Sequence, residues 1–150
     1  MRIGIITGEY PPMQGGVGDY TQLLARQLSG RDHDIFVFTS AQSDESDPAL
    51  HITNTVKKWH WGAIRAIQKW IKKYQIEIIS LQFETAAYGM SPFIHFLPQA
   101  VRVPVVTTFH DLLLPYLFPK AGALRPMIVR HLANRSDGVI VTNHEDYMQL

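Results

Sequence analysis

Three glycines in four positions, Gly15-Gly16-Val17-Gly18, close a loop dense in proline and glycine, Glu9-Tyr-Pro-Pro-Met-Gln-Gly-Gly-Val-Gly18. Without a Cβ, such a loop can turn through positive φ and let a ligand approach the backbone closely. The helical spacing that follows puts these glycines at a helix N-terminus, whose free N–H groups and positive dipole end suit a phosphate or another anion. A plain tight turn from strand to helix is the competing reading, and three glycines exceed what a turn needs. The run lacks the third glycine of G-x-G-x-x-G, because Gly16 and Gly18 are followed by Thr21. It also lacks G-K-[ST], so dinucleotide and P-loop chemistry are weak readings.

A second candidate is His110-Asp111, directly after the β-rich run Val105-Val-Thr-Thr-Phe109. An imidazole there can donate to a ligand hydroxyl or help stabilise developing positive charge. Its alternative is a packed histidine bonded to backbone. Gln82 and Glu84 follow another apolar run, and a carboxylate at Glu84 could accept from sugar-like hydroxyls or simply face water. Asp19 sits in the first turn after the glycines, where the helix dipole alone favours it. His144, Glu145 and Asp146 have no metal-ligand spacing, and helix capping explains them better. No metal or cofactor is expected from these motifs.

Alternating elements must position these residues. Arg2–Thr7 reads as a strand buried on both faces, ended by Gly8. Val17, Tyr20, Leu23, Leu24 and Leu28 form the apolar stripe of a helix that Gly30 ends. Strands follow at Ile35–Phe38 and His51–Val56, separated by a polar surface loop from Ala41 to Ala49. Trp61, Ile64, Ile67, Ile71 and Tyr74 mark a helix, and Ile76–Leu81 a strand. A helix over Ser91–Val101, bent at Pro98, precedes a strand at Val103–Phe109. Leu124, Met127, Ile128, His131 and Leu132 mark another helix. A strand at Asp137–Thr142 leads to a helix capped by Asn143, with Asp146 three residues on. This order predicts an α/β fold, a Rossmann-like parallel sheet with helices on both faces. In such sheets ligands bind beyond the carboxyl ends of the strands, which puts the glycine loop and His110 on one rim.

Composition removes several function classes. The 150 residues include 14 Lys and Arg against 13 Asp and Glu, a net charge of +1, which gives no reason to expect nucleic acid. There is no cysteine, hence no disulfide, thiolate nucleophile or cysteine-bound metal. No apolar run is long enough to span a bilayer or to serve as a secretory leader, so a cytoplasmic chain is expected. Lys57, Lys58, Arg65, Lys69, Lys72 and Lys73 crowd one stretch. It reads first as a solvated face, with peripheral contact to anionic lipid heads as the alternative.

The run Thr7-Gly-Glu-Tyr-Pro-Pro-Met-Gln-Gly-Gly-Val-Gly-Asp-Tyr20 resembles the start of retaining glycosyltransferases of the GT-B class, sequence family 4, also called group 1. Leu23-Leu24 and Ile35–Ser40 continue the likeness. Pro104-Val-Val-Thr-Thr-Phe-His-Asp111 is similar to that family's strand and His-Asp segment, and Ser136–Asn143 to a later strand. The resemblance implies that residues 1–150 form the N-terminal, acceptor-side half of a two-domain transferase, with the donor-binding C-terminal domain absent. It implies transfer of a sugar from a nucleotide-diphosphate sugar to a glycan, lipid or small-molecule hydroxyl, with retention and usually without a metal. Gly15, Gly16 and Gly18 would lie near the donor phosphates or the transferred sugar. His110 would contact that sugar and support an oxocarbenium-like transition state. Asp19, Glu84 and Asp111 would be sugar or acceptor contacts, though Gln82-Phe83-Glu84 departs from the family's usual pattern. A non-catalytic sugar- or nucleotide-binding module and a GT-B epimerase are the alternative functions. This half alone is expected to be inactive.

Overall fold

The computed structural model describes residues 1–43, 47–110, 112 and 125–150. Asp111, Leu124 and residues 44–46 of the polar loop lie outside the described residues. Among the described residues six strands form one sheet: β1 (Arg2–Thr7), β2 (Asp34–Ser40), β3 (His51–Val56), β4 (Ile78–Phe83), β5 (Val105–Phe109) and β6 (Gly138–Val141). Their order is β3-β2-β1-β4-β5-β6, and every neighbouring pair is parallel. Between them run α1 (Gly16–Ser29), α2 (Trp61–Tyr74), a 3₁₀ turn (Pro92–Phe96), α3 (Leu97–Ala100), α4 (Arg125–Arg135) and α5 (His144–Gln149). This is the expected Rossmann-like α/β architecture.

Strand alternation divides the core into two layers. Ile3, Ile5, Ile35 and Val37 face Ala25 and Leu28 of α1. Ile6, Phe36, Phe38, Ile79, Leu81 and Phe109 face α2, the 3₁₀ turn, α3 and α4. Right-handed crossovers explain the division. The step from β1 to β2 moves one way along the sheet and carries α1, whereas every later helical crossover moves the other way. Side chains such as Ile5 and Ile6, fully buried, each contribute about 1.5–3 kcal/mol. Among the described residues no helix is long and apolar enough to cross a membrane.

Three expectations need correction. The strand expected at Ile76–Leu81 runs from Ile78 to Phe83. Ile76 instead closes α2, its N–H bonding to the Ile71 carbonyl after Gln75 turns left-handed at φ 51°. The helix expected over Ser91–Val101 is a 3₁₀ turn followed by a single α turn. Pro92 and Pro98 each remove an N–H, and Ser91 pins the entry by donating to the Trp59 carbonyl. On α1 the inward residues are Val17, Thr21 and Ala25, while Tyr20 and Leu23 face outward. Small residues let α1 sit close to the sheet, so its inner face is narrower than the apolar pattern suggests.

Candidate functional site

The order in which the chain adds strands reverses between β1 and β4, and in doubly wound sheets ligands bind beyond the carboxyl ends at such a point. Thr7 pairs with Gln82 across that point. Tyr88 is buried beside it, its hydroxyl proton shared between the carbonyls of Gln82 (2.9 Å) and Ile6 (3.2 Å). Burial holds the Tyr88 phenol well above its ordinary pKa, and the nearby charges of Glu84 and Glu9 push the same way.

The glycine loop leaves β1 on this rim and enters α1. The structure corrects one expectation about it. Gly89 is the only described glycine with positive φ, so Gly15, Gly16 and Gly18 are not required for backbone handedness. Close approach is the reason at Gly15, where an added Cβ would lie 2.1 Å from the Glu9 carboxylate. That carboxylate accepts from the Gly18 N–H at 3.3 Å. Glu9 thus supplies negative charge at the helix N-terminus, a partner the sequence reading overlooked. At Gly16 an added Cβ would meet no described atom within 4 Å. Asp19 is exposed in the first turn, its N–H bonded to the Gly15 carbonyl.

His110 stands on the same rim, one strand beyond β4, where β4, α1 and α5 hold it and the chain that follows. Its backbone N–H bonds the Phe83 carbonyl at 2.9 Å. Its Nε2 lies 2.9 Å from Oε1 of Gln82, whose amide nitrogen donates to Ser80 at 2.7 Å. An amide oxygen only accepts, so Nε2 carries the proton and Nδ1 is left as an acceptor. The Tyr20 ring meets the imidazole edge-on at 4.8 Å, joining the first turn of α1 to the end of β5. Just beyond, the Leu112 N–H bonds both carboxylate oxygens of buried Asp146 at 3.2 Å, which anchors the chain after His110 to α5. The Asn143 side chain in turn accepts from the Asp146 N–H, the expected cap. Burial lowers the His110 pKa, so the ring is neutral at neutral pH. Only 9% of the His110 surface is exposed, so the residue is largely enclosed by these contacts.

Glu84 also lies on this rim, directly after β4. Its two oxygens accept from the N–H groups of Ala86 (2.9 Å) and Ala87 (2.7 Å), which shapes the turn carrying Tyr88. The structure therefore brings the glycine loop, Tyr20, Gln82, Glu84 and His110 to one edge. Gln82, a lone amide between Leu81 and Phe83 in a strand, was a readable signal. Glu9 and Tyr88 had no spacing that marked them. Among the described residues no group of three potential ligands could hold a metal ion.

The family model for Glycosyltransferase Family 4 matches residues 14–149. The chain is 28% identical over 156 aligned positions to the alpha-monoglucosyldiacylglycerol synthase of Streptococcus pneumoniae (strain ATCC BAA-255 / R6). That alignment covers 93% of this chain and 35% of the relative, so the chain spans about a third of the relative's length. Among solved structures, one from Burkholderia cenocepacia J2315 with a provisional epimerase designation superposes at TM-score 0.53 and 13% identity. It covers 93% of this chain and 52% of that one, and the likeness is one of fold.

Proposed function

The chain belongs to Glycosyltransferase Family 4, and on that premise we propose that it is the N-terminal, acceptor-side domain of a GT-B transferase. The reaction moves a sugar from a nucleotide-diphosphate sugar to an acceptor hydroxyl, with retention at the anomeric carbon. A lipid acceptor is favoured over a soluble glycan because the pneumococcal relative is named for forming a glucosyl diacylglycerol. The domain carrying most of the donor contacts follows this one in the whole protein.

The observation that carries this reading is the meeting of α1's first turn with His110 at the switch-point rim, through Tyr20 at 4.8 Å. Gly15, Gly16 and Gly18 offer a backbone surface without side chains to the donor phosphates. Any phosphate that reaches the Gly18 amide displaces the Glu9 carboxylate, since one N–H cannot serve both at full strength. His110, neutral and proton-bearing at Nε2, turns Nδ1 to accept from a hydroxyl of the transferred sugar. Gln82 holds that tautomer as a positioning residue. Fixed dipoles of this kind stabilise charge in the transition state without reorganising. Asp19 and Glu84 line the same rim toward the acceptor, and Asp111 follows His110 in sequence.

The test is His110→Ala in the full-length transferase. Loss of a group that supports the transition state lowers kcat by about 10²–10³. Transfer within twofold of the parent removes His110 from this role. Products compared with and without acceptor separate transfer from epimerisation of the donor.

A further inference from the structure

The net charge of +1 conceals a division of the chain. Residues 48–136 hold 11 of the 14 Lys and Arg but only 3 of the 13 Asp and Glu, a net +8 against −7 elsewhere. Those three acids are Glu77, Glu84 and Asp111. Glu77 is held at the foot of β4, where it accepts from the Arg2 N–H, and Glu84 is bound within its own turn. No acid therefore lies on α2, the 3₁₀ turn, α3 or α4, the layer that covers one face of the sheet.

The same layer exposes aromatic surface. Trp61 is 50% and Phe96 40% exposed, and the Trp61 ring lies 5.1 Å from Phe93 and 5.6 Å from Phe96. On α2, Trp61, Arg65, Gln68 and Lys72 fall at i, i+4, i+7 and i+11 and are all exposed, which makes one outward stripe. Beside its far end is a groove of about 320 Å³ lined by Gln68, Ile71, Lys72, Ala100, Val101 and Arg102. Lys57 and Lys58 rim a second groove at the near end. Aromatic rings with flanking cations, and no acids, match a bilayer interface: rings settle at headgroup depth while the ammonium and guanidinium groups meet lipid phosphates.

We propose that the face formed by α2 and the 3₁₀ turn is a docking surface for anionic lipid bilayers, with Trp61 and Phe96 entering the interface. Lys57, Lys58, Arg65 and Lys72 supply the electrostatic attraction. Docking needs neither donor nor acceptor, so it stands or falls separately from the transfer reaction.

Co-sedimentation with vesicles tests it, using pure phosphatidylcholine against phosphatidylcholine with 30 mol% phosphatidylglycerol. The protein is expected to partition at least tenfold more strongly onto the anionic vesicles and to be released in high salt. Each cation near such a surface is worth about fivefold. Replacing Lys57, Lys58, Arg65 and Lys72 by Gln should therefore weaken partitioning at least 50-fold. The Trp61→Ala/Phe96→Ala variant keeps every charge and should bind at least fivefold more weakly. Brominated acyl chains should quench the parent's tryptophan fluorescence, and Trp61→Phe should lose most of that quenching while keeping its circular dichroism. Equal pelleting on both vesicles would overturn the proposal. So would tighter binding to duplex DNA than to anionic vesicles with no effect of the aromatic substitutions. His110→Ala, which alters the transfer site, should bind vesicles as the parent does.

Discussion

A histidine sealed from water holds its proton weakly, and His95 turns that into a stability term. It is 2% exposed and packs edge-on against Phe83 at 4.9 Å. Burial pushes its pKa from 6.5 down to about 4; the Pro92 carbonyl beside Nδ1 pulls the other way, and His131 adds a smaller downward push. An unfolded chain protonates His95 near pH 6.5, but the folded chain does so only near pH 4. In that window the unfolded state binds more protons, so stability falls as pH falls. The loss is complete near pH 4, on the order of 3 kcal/mol, and absent above the unfolded value. His95→Leu should flatten the denaturation profile between pH 6.5 and 4 relative to the parent; parallel profiles would remove this account. Gly16 poses a different residue-scale question. Its φ is not in the left-handed region and an added Cβ meets no described atom, so the fold itself has no need of glycine there. Gly16→Ala should leave the unfolding free energy within about 1 kcal/mol of the parent, or slightly above it. If the donor phosphates meet this loop as proposed, donor affinity of the full-length protein should nevertheless fall about tenfold or more, because the added methyl group would stand in their path. Unchanged affinity by calorimetry would return the glycine loop to being a turn.

At the scale of elements, two loops press together at the rim. An added Cβ at Gly8 would lie 2.3 Å from the Ala87 carbonyl oxygen and 2.4 Å from its carbon, both backbone atoms. That contact joins the exit of β1 to the turn after β4, so Gly8→Ala must force the two apart. The expected cost is about 1–3 kcal/mol in chemical denaturation. For Gly15→Ala the nearest atoms are those of the flexible Glu9 carboxylate, so it should cost clearly less. If the two variants are equally stable, the rim is looser than its packing implies. This contact also marks the limit of what the sequence exposes. Strands such as Ile3–Ile6 and Val105–Phe109 were legible because short runs rich in β-branched residues, buried on both faces, mark a covered parallel sheet. The inner face of α2 was legible because its apolar residues recur every three or four positions. Gly8 against Ala87, and Glu9 against the Gly18 amide, join residues whose partners no local period reveals. Gln82 and His110 lie 28 positions apart and meet only because β4 and β5 pair in register, Gln82 beside Thr108 and Phe83 beside Phe109. On α1, Tyr20 matched the apolar stripe, yet it lies outside the core and against His110.

On the scale of the whole molecule, the sheet order puts β1 and β4 at the centre and leaves β3 and β6 at the margins. The margins differ in protection. β3 is six residues long, and its partly polar sequence His-Ile-Thr-Asn-Thr-Val suits an edge. β6 pairs with β5 alone among the described residues, and it shows Val139 and Ile140 at 44% and 49% exposure. Tyr147 and Met148 of α5, the helix that follows, are exposed as well. An open parallel edge offers unpaired N–H and C=O groups, and apolar side chains beside it favour pairing with a second copy. The 150-residue chain should therefore self-associate as its concentration rises through tens of micromolar, more readily at high salt. Ile140→Lys adds a charge at this edge without touching the rim, and it should hold the chain monomeric over the same range. Light scattering at matched concentrations decides the matter: if parent and variant grow alike, the association runs through another surface. The cationic α2 face would then be the surface to test next, since high salt should weaken contacts made there and strengthen those made at β6.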